Sequence, residues 1–392
     1  MDREVRILVE CPELIASVRV GVLEPLKPLE VLGKCNVKFK KTRNIDRQDI
    51  AWCDVLISVR GCEYSTYRII EAAKKAGRYI IYFLDDDLLN IPTNISSSDF
   101  LDREELKKSL IACITNSNIL WCVNKLIGET YGKYCNNQWV LSKVPTEIRK
   151  KRSASEKMNI LYAGSVDHEK NVQTIISPAV RKLCDEFGDE ISFTFIGANP
   201  RISEYKNVRF IKFIKNYDCY KRIVDDGDYS IGLAIINTTN FYKCKYYNKF
   251  IEYTTIGAIG VYTNSEPYSV IIEDEKNGFL CENSSDAWYE AIRKIVLDKG
   301  LMENCIRNAQ EIVDCEHNSK RISEDLEKLI PELTGYFSKD INYKIVKLHN
   351  MKMEFYKGRA KFLFDKHGIL FVFVIMYKAV RKIVKYLFYK ER

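Results

Sequence analysis

Short apolar runs alternate with helical patterns along most of the chain. In the first part, the runs at 5–9 (VRILV), 54–59 (DVLISV), 79–84 (YIIYFL) and 118–123 (NILWCV) are rich in β-branched and aromatic residues. Each is too short for a helix and apolar on both faces, as a strand buried in a parallel sheet must be. Helix-like stretches lie between them. The one at 66–75 ends before Gly77, a residue free to take the left-handed turn that stops a helix. Strand and helix alternating at this spacing predict a doubly wound α/β domain.

The segment at 142–157 is polar and basic, contains Pro145, and reads as a linker. After it the alternation starts again. Strand runs are predicted at 159–164, 191–197, 208–211, 229–236, 259–263 and 278–281, with helices between them and helices alone from 284 to about 332. The expected organisation is therefore an α/β domain over 1–145, a linker over 146–158 and a second α/β domain over 159–335. A tail follows over 336–392. Two such domains face each other across a cleft at the C-terminal ends of their strands, where parallel sheets bind ligands.

Composition fits a globular chain: 392 residues, 46% hydrophobic and 29% charged. Charge changes the picture more. The net charge is +8, yet residues 336–392 alone carry fourteen Lys and Arg against four Asp and Glu. The body of the protein is then close to neutral, at about −2 by the same count. That argues against a nucleic-acid partner, which calls for a basic groove in the main fold. In the tail, Lys378, Arg381, Lys382 and Lys385 share one helical face and Met376, Ala379, Val380, Ile383 and Leu387 the other. The all-apolar stretch 368–377 precedes them. This suits an anionic membrane surface; packing back on the domains is the alternative. The nearest approach to the ~20 apolar residues of a spanning helix is that same stretch, which stops at Lys378. The N-terminus, MDREVRILVE, is not a signal peptide. The thirteen cysteines form no Cys-x-x-Cys pair and sit mostly in apolar stretches, as reduced thiols do, and the four histidines have no metal-ligand spacing. The expectation is a cytoplasmic protein, peripheral on the inner face of the membrane.

Four segments can carry chemistry. At LYAGSVDHEKN, a strand ends at Gly164 and a helix follows; the turn can hold a phosphate, with Ser165, His168 and Lys170 as further donors. In KCKYYNKFIEY, Lys245, Lys249 and Glu252 share one face of a predicted helix. A carboxylate between lysines suits a ribose diphosphate, and it equally suits a solvated ion-pair ladder. In YFLDDDLLNIP, Asp85, Asp86 and Asp87 follow a strand. They can chelate a metal, wall the acceptor side of the cleft, or cap the next turn. In SVRVGVLEPLKPL, Arg19 and Gly21 stand where the first strand meets its helix, and Arg19 can meet a phosphate or an acceptor carboxylate. There is no Gly-x-Gly-x-x-Gly after a strand, no Walker loop and no Gly-x-Ser-x-Gly elbow. Nicotinamide chemistry, P-loop hydrolysis and serine hydrolysis lose their footing.

Taken together, YAGSVDHEKNVQTII, FTFIGANP, DYSIGLAII, KYYNKFIEYTTIGAIGVYTNSEPY and NGFLCENSSDAWYEAI resemble, in order and spacing, the C-terminal domain of retaining family-4 glycosyltransferases of the GT-B fold. SVRVGVLEPLKPL and IIYFLDDDLLNIP resemble the N-terminal domain of its polysaccharide-synthesis members. The resemblance covers most of residues 5–315. It implies two Rossmann-like domains and transfer of a sugar from a nucleotide-sugar donor, UDP- or GDP-linked, to a saccharide or lipid-linked saccharide acceptor. It implies no tightly bound cofactor or metal. Glu252 matches the second glutamate of the family's Glu-x7-Glu motif and would bind the donor ribose. Lys249, with Lys245 or Arg19, would stabilise the leaving diphosphate. Gly164, Ser165 and His168 would line the donor-phosphate loop, and Gly257 matches the small residue after the motif helix. Asp85, Asp86 and Asp87 would face the acceptor. One position departs: Cys244 stands where the motif has its first glutamate, near the donor sugar. A non-catalytic GT-B relative acting as a membrane-associated binding subunit is the alternative that this departure raises.

Overall fold

The computed structural model describes residues 3–95, 98–150, 157–370 and 372–373. Two six-stranded sheets, every pairing parallel, make up its core. The first holds β1 (Val5–Cys11), β2 (Cys35–Lys41), β3 (Val55–Val59), β4 (Tyr79–Leu84), β5 (Ile119–Cys122) and β6 (Trp139–Leu141), in the order β2-β1-β3-β4-β5-β6. The second holds β7 (Met158–Ala163), β8 (Ile191–Gly197), β9 (Val208–Lys212), β10 (Ile231–Ala234), β11 (Ile259–Thr263) and β12 (Phe279–Cys281), in the order β12-β11-β10-β7-β8-β9. Strand order reverses between β1 and β3 in one sheet and between β7 and β10 in the other. At each reversal the crossover helices diverge to opposite faces and leave a crevice beyond the strand ends.

The central strands form where continuous apolar runs predict them, and β1, β3, β4 and β10 are buried at nearly every position. Two strands lie outside the predicted set. The edge strand β2 alternates Cys35, Val37 and Phe39 with Asn36 and lysines, so only one side is apolar. The other, β6, has three residues, with Trp139 lying against Gly128 and Gly132 of the neighbouring helical turns. A Cβ at either glycine would fall within 2.6 Å of the Trp139 ring.

The predicted linker is pinned on its described side. Thr146 N–H donates to the His317 carbonyl at 2.8 Å, and the Arg149 and Lys150 amides both donate to the Thr255 carbonyl. Past the helix Lys299–Glu316, the chain leaves the second sheet. The helix Ser319–Leu329, which the sequence pattern groups with the second domain, packs against the helix Glu24–Val31 of the first. Ser323 Oγ donates to the Pro25 carbonyl at 2.8 Å, and Lys34 pairs with Glu327 at 2.6 Å. Onward, Tyr336 Oη donates to the Gly77 carbonyl and Arg78 to the Lys339 carbonyl. The helix Met351–His367 also rests on the first domain, with Met351 and Phe355 buried. The tail thus packs back on the fold as far as this helix. The amphipathic stretch at 376–392 lies outside the described residues. No helix among the described residues is long and apolar enough to cross a membrane.

Asp54 ties Arg3, Arg6 and Ser338 to this sheet. Its side chain is fully buried and accepts from Arg3 at 2.6 and 2.8 Å, from the Arg6 amide at 2.9 Å and from Ser338 Oγ at 2.8 Å. Burial alone would raise its pKa, but these donors hold the carboxyl well below the usual carboxylate range. Stability from a depressed carboxyl is present above the unfolded value near 4 and is lost as pH falls through the folded value. Asp54→Ala should lower the unfolding free energy by about 3 kcal/mol in urea titrations at pH 7. The gap to wild type should shrink at strongly acidic pH. An unchanged urea midpoint would remove Asp54 as the anchor.

Candidate functional site

The site is built from loops at the C-terminal ends of strands in both sheets. From the second domain, the chain leaves β7 at Gly164, turns through Ser165 and His168, and enters a helix. Gly197, at the end of β8, has φ +95°, and a Cβ there would lie 1.9 Å from the Gly164 carbonyl, so that turn needs glycine. After β10 the chain passes Thr239 into the turn Asn240–Lys243 and then the helix Asn248–Thr255.

Lys249 and Glu252 share a face of this helix and form an ion pair. Tyr220, from the helix Tyr217–Asp226, closes the group: Lys249 Nζ lies 2.9 Å from Tyr220 Oη, which donates to Glu252 Oε1 at 2.8 Å. Burial and the Glu252 charge push the Tyr220 phenol well up, so it stays a neutral donor. The pair is partly buried and oriented by a third group, so it is more than a solvated ladder.

Lys245 differs from expectation. It precedes the helix, whose first residue is Asn248, and leaves the Lys249–Glu252 face. Its ammonium lies over the Phe241 ring at 4.6 Å and donates to Asp86 Oδ1 of the first domain at 2.9 Å. Asp86 also pairs with Arg60 at 2.8 Å, and Asp85 pairs with Arg60 at 3.3 Å. Burial drives the carboxyl pKa of Asp86 up, but Arg60 and Lys245 outweigh it and hold it below its ordinary value. Asp85 ends above its ordinary value, because burial and the neighbouring Asp86 charge outweigh its share of Arg60. Asp87 meets neither Arg60 nor Lys245. It is buried and accepts from Tyr131 Oη at 2.5 Å and from Asn90 Nδ2 at 2.9 Å. It braces its own loop at the wall of the cleft, and the short turn that follows at 88–89 is not continued into a helix.

Arg19 lies on a π-helical turn, Arg19–Leu23, after β1 and reaches across to Asp218 at 2.8 Å. Gly21, on the same turn, faces Phe83, where a Cβ would come within 2.6 Å of the ring. Gly257 is not part of the cleft. It sits past the far end of the Lys249 helix with φ +74°, in the turn that starts β11. Its part is the turn, since the N-terminal end of a strand faces away from the site. Ser165 Oγ is held by Asp167 at 3.1 Å. The His168 ring is half-buried beside Tyr242, 5.7 Å between centroids, and its shielded Nδ1 has no hydrogen-bond partner. Burial first, then the Lys245 charge, pulls its pKa down to about 4. Cys244, in the glutamate position, is buried, and burial with the nearby Asp87 and Asp86 charges pushes its thiol up to about 12.

A cavity of ≈ 500 Å³ opens between the domains. Asp87, Asn90 and Thr130 line it from the first, and Thr239, Phe241 and Cys244 from the second. A larger one, ≈ 700 Å³, lies along the outer edge of the second sheet by Phe279 and holds none of the site residues above. Sequence reasoning missed Arg60, Tyr220 and Asp218. Arg60 left one signal, a charged residue directly after a buried strand and before glycine. Tyr220 and Asp218 left none, because their partners are far away in sequence.

Residues 249–312 match the model of the family glycosyl transferases group 1. A comparison with curated proteins finds no match. Among solved structures, the fold is similar to Anabaena HepE in complex with UDP and glucose, with a TM-score of 0.61 and 12% identity over 85% of this chain and 100% of that one. It is similar to a glycosyltransferase from Rickettsia africae, with a TM-score of 0.59 and 13% identity over 85% and 99%. It is also similar to a UDP-forming trehalose-phosphate synthase from Burkholderia xenovorans, with a TM-score of 0.56 and 9% identity over 84% and 99%. The two facing doubly wound sheets are thus those of the GT-B fold, carrying a group 1 segment that includes Lys249 and Glu252.

Two measurements follow from this geometry. A double-mutant cycle on Asp86→Asn and Lys245→Met should return a coupling of about 1–2 kcal/mol in unfolding free energy, as partly buried pairs do; a value near zero would mean the clasp does not form. For His168, the folded pKa lies below the unfolded value near 6.5, so the unfolded chain takes up the extra proton first. Its contribution is therefore complete above pH 6.5 and is lost as pH falls toward 4. Between pH 7.5 and 5, wild type should lose more stability than His168→Gln; equal losses would place the ring in water.

Proposed function

We propose that the protein is a glycosyltransferase that moves a sugar, with retention, from a nucleotide-sugar donor to a saccharide or lipid-linked saccharide acceptor in surface polysaccharide or glycan synthesis. The observation that carries this is the Lys249–Tyr220–Glu252 group at the second sheet's crevice, inside the segment that matches glycosyl transferases group 1. Glu252 offers acceptor oxygens for two ribose hydroxyls, and Lys249 offers a cation for the diphosphate. The complexes of HepE with UDP and with UDP-glucose favour a uridine donor over a guanosine one.

In the proposed reaction the acceptor oxygen attacks the anomeric carbon on the face from which the diphosphate leaves. The carbon–oxygen bond to phosphate breaks as the new glycosidic bond forms, and the acceptor proton passes to the departing phosphate oxygen. The demand on the protein is electrostatic: cations set in place for the charge that develops on the diphosphate. Lys249 fills that role, with Arg19 across the cleft once it exchanges Asp218 for phosphate. Gly164 and Ser165 give the diphosphate a close backbone approach, and neutral His168 gives it a ring nitrogen. Asp85 and Asp86 stand on the acceptor side. The protein's own cations supply the charge, so this reading calls on no tightly bound metal or cofactor. It places the chain in the cytoplasm, peripheral on the membrane's inner face.

A second reading, a non-catalytic GT-B subunit, is favoured by one observation: a buried neutral thiol, Cys244, in place of the first motif glutamate. The two part on turnover. UDP at 100 times its dissociation constant should stabilise the chain by about 2.7 kcal/mol in thermal melts. Glu252→Ala should weaken UDP binding by roughly 10- to 100-fold, the loss of charged hydrogen bonds to the ribose. If no nucleotide or nucleotide sugar shifts the melt, the transferase reading fails. UDP binding without transfer to any acceptor would select the second reading.

A further inference from the structure

The contacts that Phe355, Arg359, Phe362 and Lys366 of the helix Met351–His367 make with the first domain run along one face. Phe355 stacks under Arg43, 5.6 Å from its guanidinium, in the loop after β2. Arg359 pairs with Glu63 at 2.8 Å, in the loop after β3. Phe362 meets Phe100 edge-on at 5.0 Å, and Lys366 pairs with Asp99, both in the segment after β4. Positions 355, 359, 362 and 366 follow helical spacing, so this is a single inward face. It crosses three loops at the C-terminal edge of the first sheet. Glu63 is three residues past Arg60, which holds Asp85 and Asp86 in the cleft. The helix therefore borders the acceptor side of the site.

Its outward side sets a few exposed apolar groups among lysines. Met353 and Tyr356 are 49% and 51% exposed, with exposed Lys352, Lys357 and Lys361 flanking them. The apolar residues continue past the helix, with Leu370 at 63% and Phe373 at 66% exposure. Exposed apolar groups among lysines are the chemistry of an interfacial helix, whose apolar side chains enter the headgroup boundary while lysines meet anionic lipid. A second copy of the chain fits it poorly, because an isologous contact would set lysine against lysine. The sequence beyond the described residues has the same character, ending in KAVRKIVKYLFYKER.

We propose that the outward face of Met351–His367 docks on an anionic lipid bilayer and that the acceptor enters the cleft from that surface, as a lipid-linked molecule. This rests on the transferase reading for the word acceptor, but not for the docking. The test is co-sedimentation of the full chain with phosphatidylcholine vesicles, with and without phosphatidylglycerol, at low and high salt. Wild type should bind only the anionic vesicles, and salt should weaken it. Lys352→Gln with Lys361→Gln should weaken binding about 30-fold, and Tyr356→Ser should weaken it further, with melting midpoints unchanged because all three positions are exposed. The proposal is overturned if wild type stays in solution, if the variants bind vesicles as wild type does, or if the same variants instead abolish a dimer seen by light scattering. A chain that binds UDP but no vesicles refutes the docking alone. One that binds vesicles but no nucleotide refutes the transferase reading alone.

Discussion

A carboxylate largely withdrawn from water has to keep a cation, and Asp86 keeps two that arrive from different halves of the chain. Arg60 comes from the end of β3 and Lys245 from the turn before the Lys249 helix. To present its guanidinium there, Arg60 takes φ +54°, a conformation that costs a non-glycine residue of order 1 kcal/mol or more. The ion pairs with Asp85 and Asp86 offset that strain. They also fix where the two domains meet, since Lys245 reaches Asp86 only if the second domain's turn lies over the first domain's strand ends. Asn124 repeats the tie nearby, donating through Nδ2 to the carbonyls of Lys243 and Lys245. The cleft is held by polar groups at the strand ends, with the aromatic residues Tyr242, Tyr246 and Tyr247 continuing the first domain's core beneath them.

Parallel pairing explains why the chemistry gathers here. Every strand of both sheets runs the same way, so every strand leaves its C-terminal loop at one edge, and the two edges face each other. The crossover helices also begin at that edge. Both helical segments that follow a first strand contain a π turn, Arg19–Leu23 and Val172–Ile176. Each inserts an extra residue into the helical repeat, and such insertions re-aim side chains, often at functional sites. In the first domain the turn directs Arg19 across the cleft to Asp218.

The architecture was legible because a strand buried on both faces needs an unbroken apolar run, and such runs are hard to write by accident. The edge strand β2 was not, because its lysines face water and break the run. Lys249 and Glu252 were legible as a pair because helical spacing alone puts them together. Lys245 was misplaced by the same rule. Tyr246 and Tyr247 stack at 4.2 Å and go into the domain junction, which delays the helix start to Asn248. Arg60 left only its place between a buried strand and a glycine, and Tyr220 and Asp218 were not legible at all, since their partners come from distant segments. The return of the chain to the first domain was equally hidden. Ser319–Leu329 has an ordinary amphipathic pattern that fits either sheet, and only the Ser323 and Glu327 contacts decide which.

The same charge balance accounts for the departure at Cys244. Three carboxylates, Asp85, Asp86 and Asp87, already crowd the wall beside it, against two cations, Arg60 and Lys245. Asp87 meets neither cation and is satisfied by the neutral donors Tyr131 and Asn90 instead. A glutamate at 244 would add a fourth carboxylate to a buried cluster whose lysine is already turned to Asp86. It would then have to stay protonated or break the clasp. A thiol pushed up to about 12 adds no charge and fills the space. The missing acid and the interdomain ion pairs are therefore two sides of one arrangement. Restoring a glutamate at 244 without also freeing Lys245 from Asp86 works against the fold of the cleft.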